Sequence, residues 1–106
     1  MPQVTIVYWR DIPAQVIVGS RRRAAKVQLA ERFEQAIDRC AMKVGARDAD
    51  AYLAEWRKGE PYGVEGEAAD VASGEAARLE AVFSAEVVRA LIANDGWAEP
   101  KTAPLD

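Results

Sequence analysis

The sequence predicts an α+β domain: an N-terminal antiparallel β-hairpin packed on a long α-helix, followed by two or three further helices. Three observations carry that class. The first eighteen residues are dense in β-branched and aromatic side chains, interrupted at Asp11-Ile12-Pro13. Residues 29–44 then place apolar side chains at helical spacing. From residue 48 onward the chain is alanine-rich and punctuated by capping residues and glycines. With 106 residues, half of them hydrophobic and 29% charged, the composition is that of one soluble globular domain.

The first element is a strand over Gln3–Arg10, reading Gln-Val-Thr-Ile-Val-Tyr-Trp-Arg. Ile12 precedes Pro13 and is pushed to an extended or turn conformation, and Ala14–Val18 forms the returning strand. Strict alternation would line one face with Val4, Ile6, Tyr8 and Arg10 and the other with Thr5, Val7, Trp9 and Asp11. Neither face is polar. A lone hairpin is marginal in water, so this one is expected to pack on helices, to extend its sheet with another chain, or both.

A helix is expected from about Arg21 to Val44, with Ser20 as N-cap and Gly45 as the C′ residue. Its apolar stripe is Leu29, Phe33, Ala36, Ile37, Cys40 and Val44. Beside it runs a basic stripe of Arg21, Gln28, Arg32, Gln35, Arg39 and Lys43, while Glu31, Glu34 and Asp38 form an acidic strip. Asp48 or Asp50 caps a second helix with Ala49, Tyr52, Leu53 and Trp56 inward, ended by Gly59 and Pro61. Residues 61–66 read as a loop. A third helix runs from about Glu67 to Phe83, with Ala72, Ala76, Leu79 and Phe83 inward and Gly74 weakening its first turns. Ser84 caps a short last helix over Ala85–Asn94, ended by Gly96. The domain spans 1–96, and 97–106 is a tail ordered only if Trp97 docks.

Composition excludes much chemistry. The chain has no histidine, so His-based triads, proton shuttles and zinc sites are ruled out. Its one cysteine, Cys40, cannot form an internal disulfide, and with no secretory signal in view the expectation is a cytoplasmic protein. Cys40 lies on the apolar stripe and is expected to be a buried, inert thiol. Glu31, Glu34 and Asp38 fit a solvated helix face better than a metal site. Gly-Val-Glu-Gly at 63–66 matches no phosphate-binding motif. No catalytic residue, no metal and no cofactor are therefore expected.

Charge is distributed unevenly. Residues 1–47 hold nine Lys/Arg against four Asp/Glu, a balance of +5, whereas residues 48–106 hold five against thirteen, a balance of −8. Two halves of opposite sign can attract each other inside one domain or present a charged face to a partner. The run Arg21-Arg22-Arg23 with Lys26 would stand at the wrong end of a helix for cations, which points to an anion or an acidic partner. Nucleic acid is disfavoured, because the isoelectric point is about 5.0 and no aromatics interleave the basic run.

The segments 8–16 (Tyr-Trp-Arg-Asp-Ile-Pro-Ala-Gln-Val), 31–45 (Glu-Arg-Phe-Glu-Gln-Ala-Ile-Asp-Arg-Cys-Ala-Met-Lys-Val-Gly) and 50–57 (Asp-Ala-Tyr-Leu-Ala-Glu-Trp-Arg) together resemble the small bacterial virulence factor domain family. That domain also occurs within conserved virulence factor C proteins, and the resemblance covers about residues 3–93. It implies an accessory role in one-carbon metabolism, beside methylenetetrahydrofolate reductase-like and corrinoid methyl-transfer proteins. It carries over no catalytic residue.

Two binding surfaces compete with an enzyme of unrecognised type. One is a protein-interaction surface of Tyr8, Trp9, Arg10, Asp11, Gln15, Arg21, Arg32, Arg39 and Lys43, with Trp9 as aromatic anchor and the basic stripe steering the encounter. Its partner would be another cytoplasmic protein, such as a methylenetetrahydrofolate reductase-like subunit, or a second copy joined at the hairpin edge. The other is an anion site of Arg10, Arg21, Arg22, Arg23 and Lys26, taking a phosphate or a folate polyglutamate tail. No segment is apolar enough for a membrane span.

Overall fold

A computed structural model describes residues 2–19, 24–46 and 48–98. The chain forms β1 (Gln3–Trp9), β2 (Ile12–Val18), β3 (Ala25–Gln28), α1 (Glu31–Lys43), α2 (Ala49–Ala54), β4 (Trp56–Lys58), β5 (Tyr62–Gly63), α3 (Ala68–Val82) and α4 (Ala85–Ala93). The fold is α+β. Its antiparallel sheet has the order β3-β2-β1-β4, with β5 also paired to β1.

The hairpin forms, with a tighter turn than expected. Trp9 pairs with Ile12, so only Arg10 and Asp11 make the turn, and Arg10 takes a positive φ of 55°. The register slips along the ladder: Val7 faces Gln15 but Tyr8 faces Pro13, which leaves Ala14 as the extra residue. A bulge bends the pair and adds twist. In β1 the buried residues are accordingly Val4, Ile6 and Trp9, spaced by two and then by three. Both edges of the hairpin are occupied by this chain's own strands, β3 along β2 and β4 with β5 along β1. The premise of an open hairpin edge is corrected.

The long helix is shorter than its pattern suggested. It begins at Glu31 and has 13 residues, while Ala25–Gln28 joins the sheet as β3. There Ala25 and Val27 are half-buried and Lys26 and Gln28 are exposed, the period of a strand. Lys26 thus stands on a strand and not at a helix start. Ser20 and Arg21–Arg23 lie outside the described residues. Ala30 precedes the first turn of α1, and its amide donates to Glu80 Oε2 at 3.0 Å. At the other end Gly45 has a φ of 81° and Ala46 N–H reaches Ala41 O at 2.8 Å, the left-handed finish expected of a C′ glycine.

The apolar stripe is in the core as expected: Leu29, Phe33, Ala36, Ile37 and Cys40 are buried and Val44 is half-buried. Asp48 caps α2, accepting from Ala51 N–H at 2.8 Å, but α2 ends at Ala54 and Trp56 opens β4. The cross-strand pair of Trp56 with Trp9 accounts for that early ending. The stretch 61–66 includes the two-residue β5. Ser84 caps α4 through Val87 N–H, and α3 buries Val71, Ala72, Ala76 and Leu79. No helix among the described residues is long and apolar enough to cross a membrane.

Candidate functional site

The Tyr8–Asp11 segment is an internal joint, and each of its residues reaches a different part of the chain. Trp9 is fully buried. Its indole N–H donates to Tyr52 O at 2.9 Å, and its ring lies 5.9 Å from that of Tyr52, which meets Trp56 edge to face. A residue with no exposed surface cannot anchor a partner, so that role for Trp9 is corrected. The Arg10 guanidinium lies 5.3 Å from the Trp9 ring and 5.2 Å from the Trp97 ring. It donates to Asp95 O at 2.6 Å and to Glu55 Oε2 at 3.3 Å, with only 11% of its side chain exposed. Asp11 pairs with Arg57 and accepts from Ala98 N–H at 2.7 Å. Trp97 is therefore docked.

These contacts engage the Arg10 charge with Glu55 and two aromatic faces, while its Nε is buried without a hydrogen bond. Lys26 is exposed on β3. Of the expected anion set only Arg10 and Lys26 are among the described residues, and Arg21–Arg23 lie outside them.

The basic stripe has internal partners that the sequence did not reveal. Arg32 lies over the Phe33 ring at 4.2 Å and donates to Glu80 O at 2.7 Å. Lys43 pairs with Asp95 at 2.6 Å and reaches Ala93 O at 3.3 Å. Together with Arg10–Glu55, these links join the basic half of the chain to the acidic half. Arg39 is exposed and forms no ion pair among the described residues.

Among the described residues three concavities border α1, one of them lined by Asp38, Ala41, Met42, Ala46 and Tyr52. A second, about 320 Å³, is lined by Ala14, Gln28, Leu29, Glu31, Glu34, Ile37, Tyr52 and Trp56. Burial, reinforced by the charge of Asp38, pushes the Tyr52 phenol above its usual range, so it stays a neutral hydroxyl there. Another, about 220 Å³, lies between α1 and α4 and carries Arg32, Arg39 and Arg89 in its lining. Arg89 was not singled out by sequence reasoning. It lies fifty residues from Arg39, and only helix packing relates the two.

Cys40 is fully buried, and desolvation raises its pKa against the opposing pull of Arg10 and Lys43, so the thiol stays protonated at neutral pH. Tyr62 donates to Glu75, and Arg78 donates to both, tying β5 to α3. Among the described residues no three His, Cys, Asp or Glu side chains gather as a metal site.

A last surface is one face of the sheet. Thr5 pairs with Ile17, Val7 with Gln15 and Lys58, and Ile17 with Lys26, so these residues share a face. Thr5, Val7 and Ile17 are half-buried and stand outside the core cluster, while Lys26 and Lys58 are exposed at either side. Tyr8 adjoins them with Arg57 stacked 4.5 Å above its ring.

The model of the virulence factor family matches residues 7–92. The chain belongs to the virulence factor family. All three motifs that carry the resemblance fall inside the matched span, and they meet around Trp9 and Arg10: the turn itself, Cys40 on α1, and Tyr52 with Glu55 and Trp56. In this virulence factor domain the motif residues described above hold the fold together. No match was found among curated proteins or among solved structures.

Proposed function

We propose that this virulence factor domain is a non-catalytic accessory module of a larger cytoplasmic enzyme system, and that it binds its partner through the sheet face of Thr5, Val7, Gln15 and Ile17. The observation that carries the reading is the composition of that face: Val7 and Ile17 stand outside the core beside Thr5 and Gln15, with Lys26 and Lys58 flanking them. A central apolar patch with a charged rim is how binding surfaces combine affinity with steering. Of the residues expected at an interface, Gln15 lies on this face and Tyr8 beside it. The family resemblance supports a partner in one-carbon metabolism, a methylenetetrahydrofolate reductase-like or corrinoid methyl-transfer protein.

The test is co-purification of the tagged domain with such a protein at fixed stoichiometry, repeated with Ile17→Glu. The charge should abolish capture while leaving the melting temperature within about 3 °C, as expected of a half-exposed position. Equal capture by the variant would remove this face from the interface.

A further inference from the structure

Where α1 meets α4, three arginines border one cleft of about 220 Å³: Arg32 and Arg39 from α1, and Arg89 from α4. Gln35 completes its polar rim, Ala36, Ala85, Val88 and Ile92 supply apolar surface, and no acidic residue lines it. Three like charges around one concavity repel one another, and a fold gains nothing from that arrangement unless an anion is present. Internal partners do not cancel the charge. Arg32 uses Nη2 on the Glu80 carbonyl, a neutral acceptor, while its Nη1 is shielded from solvent and makes no hydrogen bond. Arg39 and Arg89 are exposed and form no ion pair among the described residues.

The backbone adds to the same field. Ala85 is the first residue of α4, a helix of nine residues capped by Ser84. The opening amides of a helix have no intrahelical acceptor, and its dipole is positive at that end. Guanidinium groups are planar forks of donors that match the oxygens of phosphate or carboxylate. A carboxylate offers two oxygens and one charge, which a single fork satisfies. Three guanidinium charges along one cleft suit a dianion better than a monoanion, and the apolar surface of Ala36, Val88 and Ile92 suits an organic group attached to it.

We propose that the α1–α4 cleft is a binding site for a phosphate monoester, with Arg39 and Arg89 holding the phosphoryl group and Arg32 adding its charge beside them. The site is distinct from the sheet face assigned to the partner and does not depend on that assignment. It also differs from the cluster around Arg21–Arg23 that the sequence suggested.

The probes are phenyl phosphate, inorganic phosphate and benzoate, titrated at matched ionic strength and followed by amide chemical shifts and melting temperature. The proposal expects saturable shifts confined to α1 and the start of α4, with a melting temperature that rises with phenyl phosphate concentration. Phenyl phosphate should bind more tightly than inorganic phosphate, which shows that the apolar wall contributes, and benzoate should bind at least about ten-fold more weakly. Arg39→Gln and Arg89→Gln, both at exposed positions and so expected to fold, should each weaken phenyl phosphate by about ten-fold. Shifts that do not saturate, benzoate binding as tightly as phenyl phosphate, or unchanged affinity in both variants would overturn the proposal. So would a glutamate-rich peptide that binds the cleft more tightly than either phosphate, which would make it a docking site for an acidic protein segment.

Discussion

Replacing Trp9 separates a core role from a surface role more sharply than any other single change. Trp9 has no exposed surface, donates its indole N–H to Tyr52 O at 2.9 Å, and packs against Tyr52 and its cross-strand partner Trp56. Trp9→Ala removes the largest fully buried side chain of the domain. Large aromatic-to-alanine changes in a core cost about 3–5 kcal/mol. Trp9→Phe keeps most of the ring but leaves the Tyr52 carbonyl only the longer bond from Glu55 N–H at 3.4 Å, a cost of about 0.5–1.5 kcal/mol. A domain of this length is stable by only about 5–15 kcal/mol, so the alanine variant falls close to the threshold of folding. For small domains each kcal/mol moves the melting temperature by about 4–8 °C, which places the expected fall for Trp9→Ala above about 12 °C. Thermal and urea melts followed by far-ultraviolet circular dichroism would rank wild type above Trp9→Phe above Trp9→Ala. A Trp9→Ala protein melting within about 3 °C of wild type would refute the core assignment and return Trp9 to the surface.

Two glycines should respond to alanine with opposite sign. Gly74 lies inside α3 with nothing within 4 Å of an added Cβ, so Gly74→Ala should stabilise by about 0.5–1 kcal/mol in urea melts. Gly96 has a φ of 92° and its added Cβ would meet Arg10 Cδ at 3.0 Å and Cys40 Sγ at 3.2 Å, so Gly96→Ala should destabilise by more than about 1 kcal/mol. For Cys40, burial raises the thiol pKa above 9.0, so the unfolded chain loses that proton first as pH rises. Stability should therefore fall as pH climbs above 9, Cys40→Ala should flatten that slope at a cost of about 1 kcal/mol or less, and the native thiol should resist a disulfide reagent at pH 7.5. A thiol titrated at once under native conditions contradicts this.

Local signals in the sequence were faithful at the helix caps and along α1, whereas Ala49 and Leu53, expected inward on α2, are exposed. Asp48 and Ser84 cap the helices they were expected to cap, Gly45 ends α1, and the stripe from Leu29 to Cys40 is buried. Errors arose where distant partners decide. Residues 25–28 hold only one β-branched side chain, and hydrogen bonding to β2 makes them a strand against their local preference. Trp56 continues the helical spacing of Tyr52 and Leu53, yet pairing with Trp9 draws it into β4. The register slip at Ala14 has Pro13 as its one local mark, a residue a central strand tolerates at a bulge, and it was the slip that made strict alternation misplace Trp9. The α1–α4 cleft was half legible: Arg32 and Arg39 stood out as one side of a helix, but Arg89 becomes their neighbour only through tertiary packing.

The fate of Arg10 shows why a polar, aromatic turn is poor evidence for an interface by itself. Arg10 adopts a positive φ, a conformation that costs a non-glycine side chain of order 1 kcal/mol and persists only when surrounding contacts demand it. Those contacts are present: Arg10 N–H donates to Glu55 O at 3.0 Å, its guanidinium reaches Asp95 and Glu55, and Trp9 and Trp97 lie against it. Asp11 N–H meanwhile donates to Gly96 O at 2.8 Å. The hairpin tip is thereby fastened to the end of α2 and to the segment that follows α4. Charge and aromaticity that resembled a binding surface are consumed in closing the chain upon itself. Arginines facing a cleft with no such partners, Arg39 and Arg89, have charge still available for an anion. What separates the two sets is the presence or absence of an internal acceptor, which only the folded chain reveals.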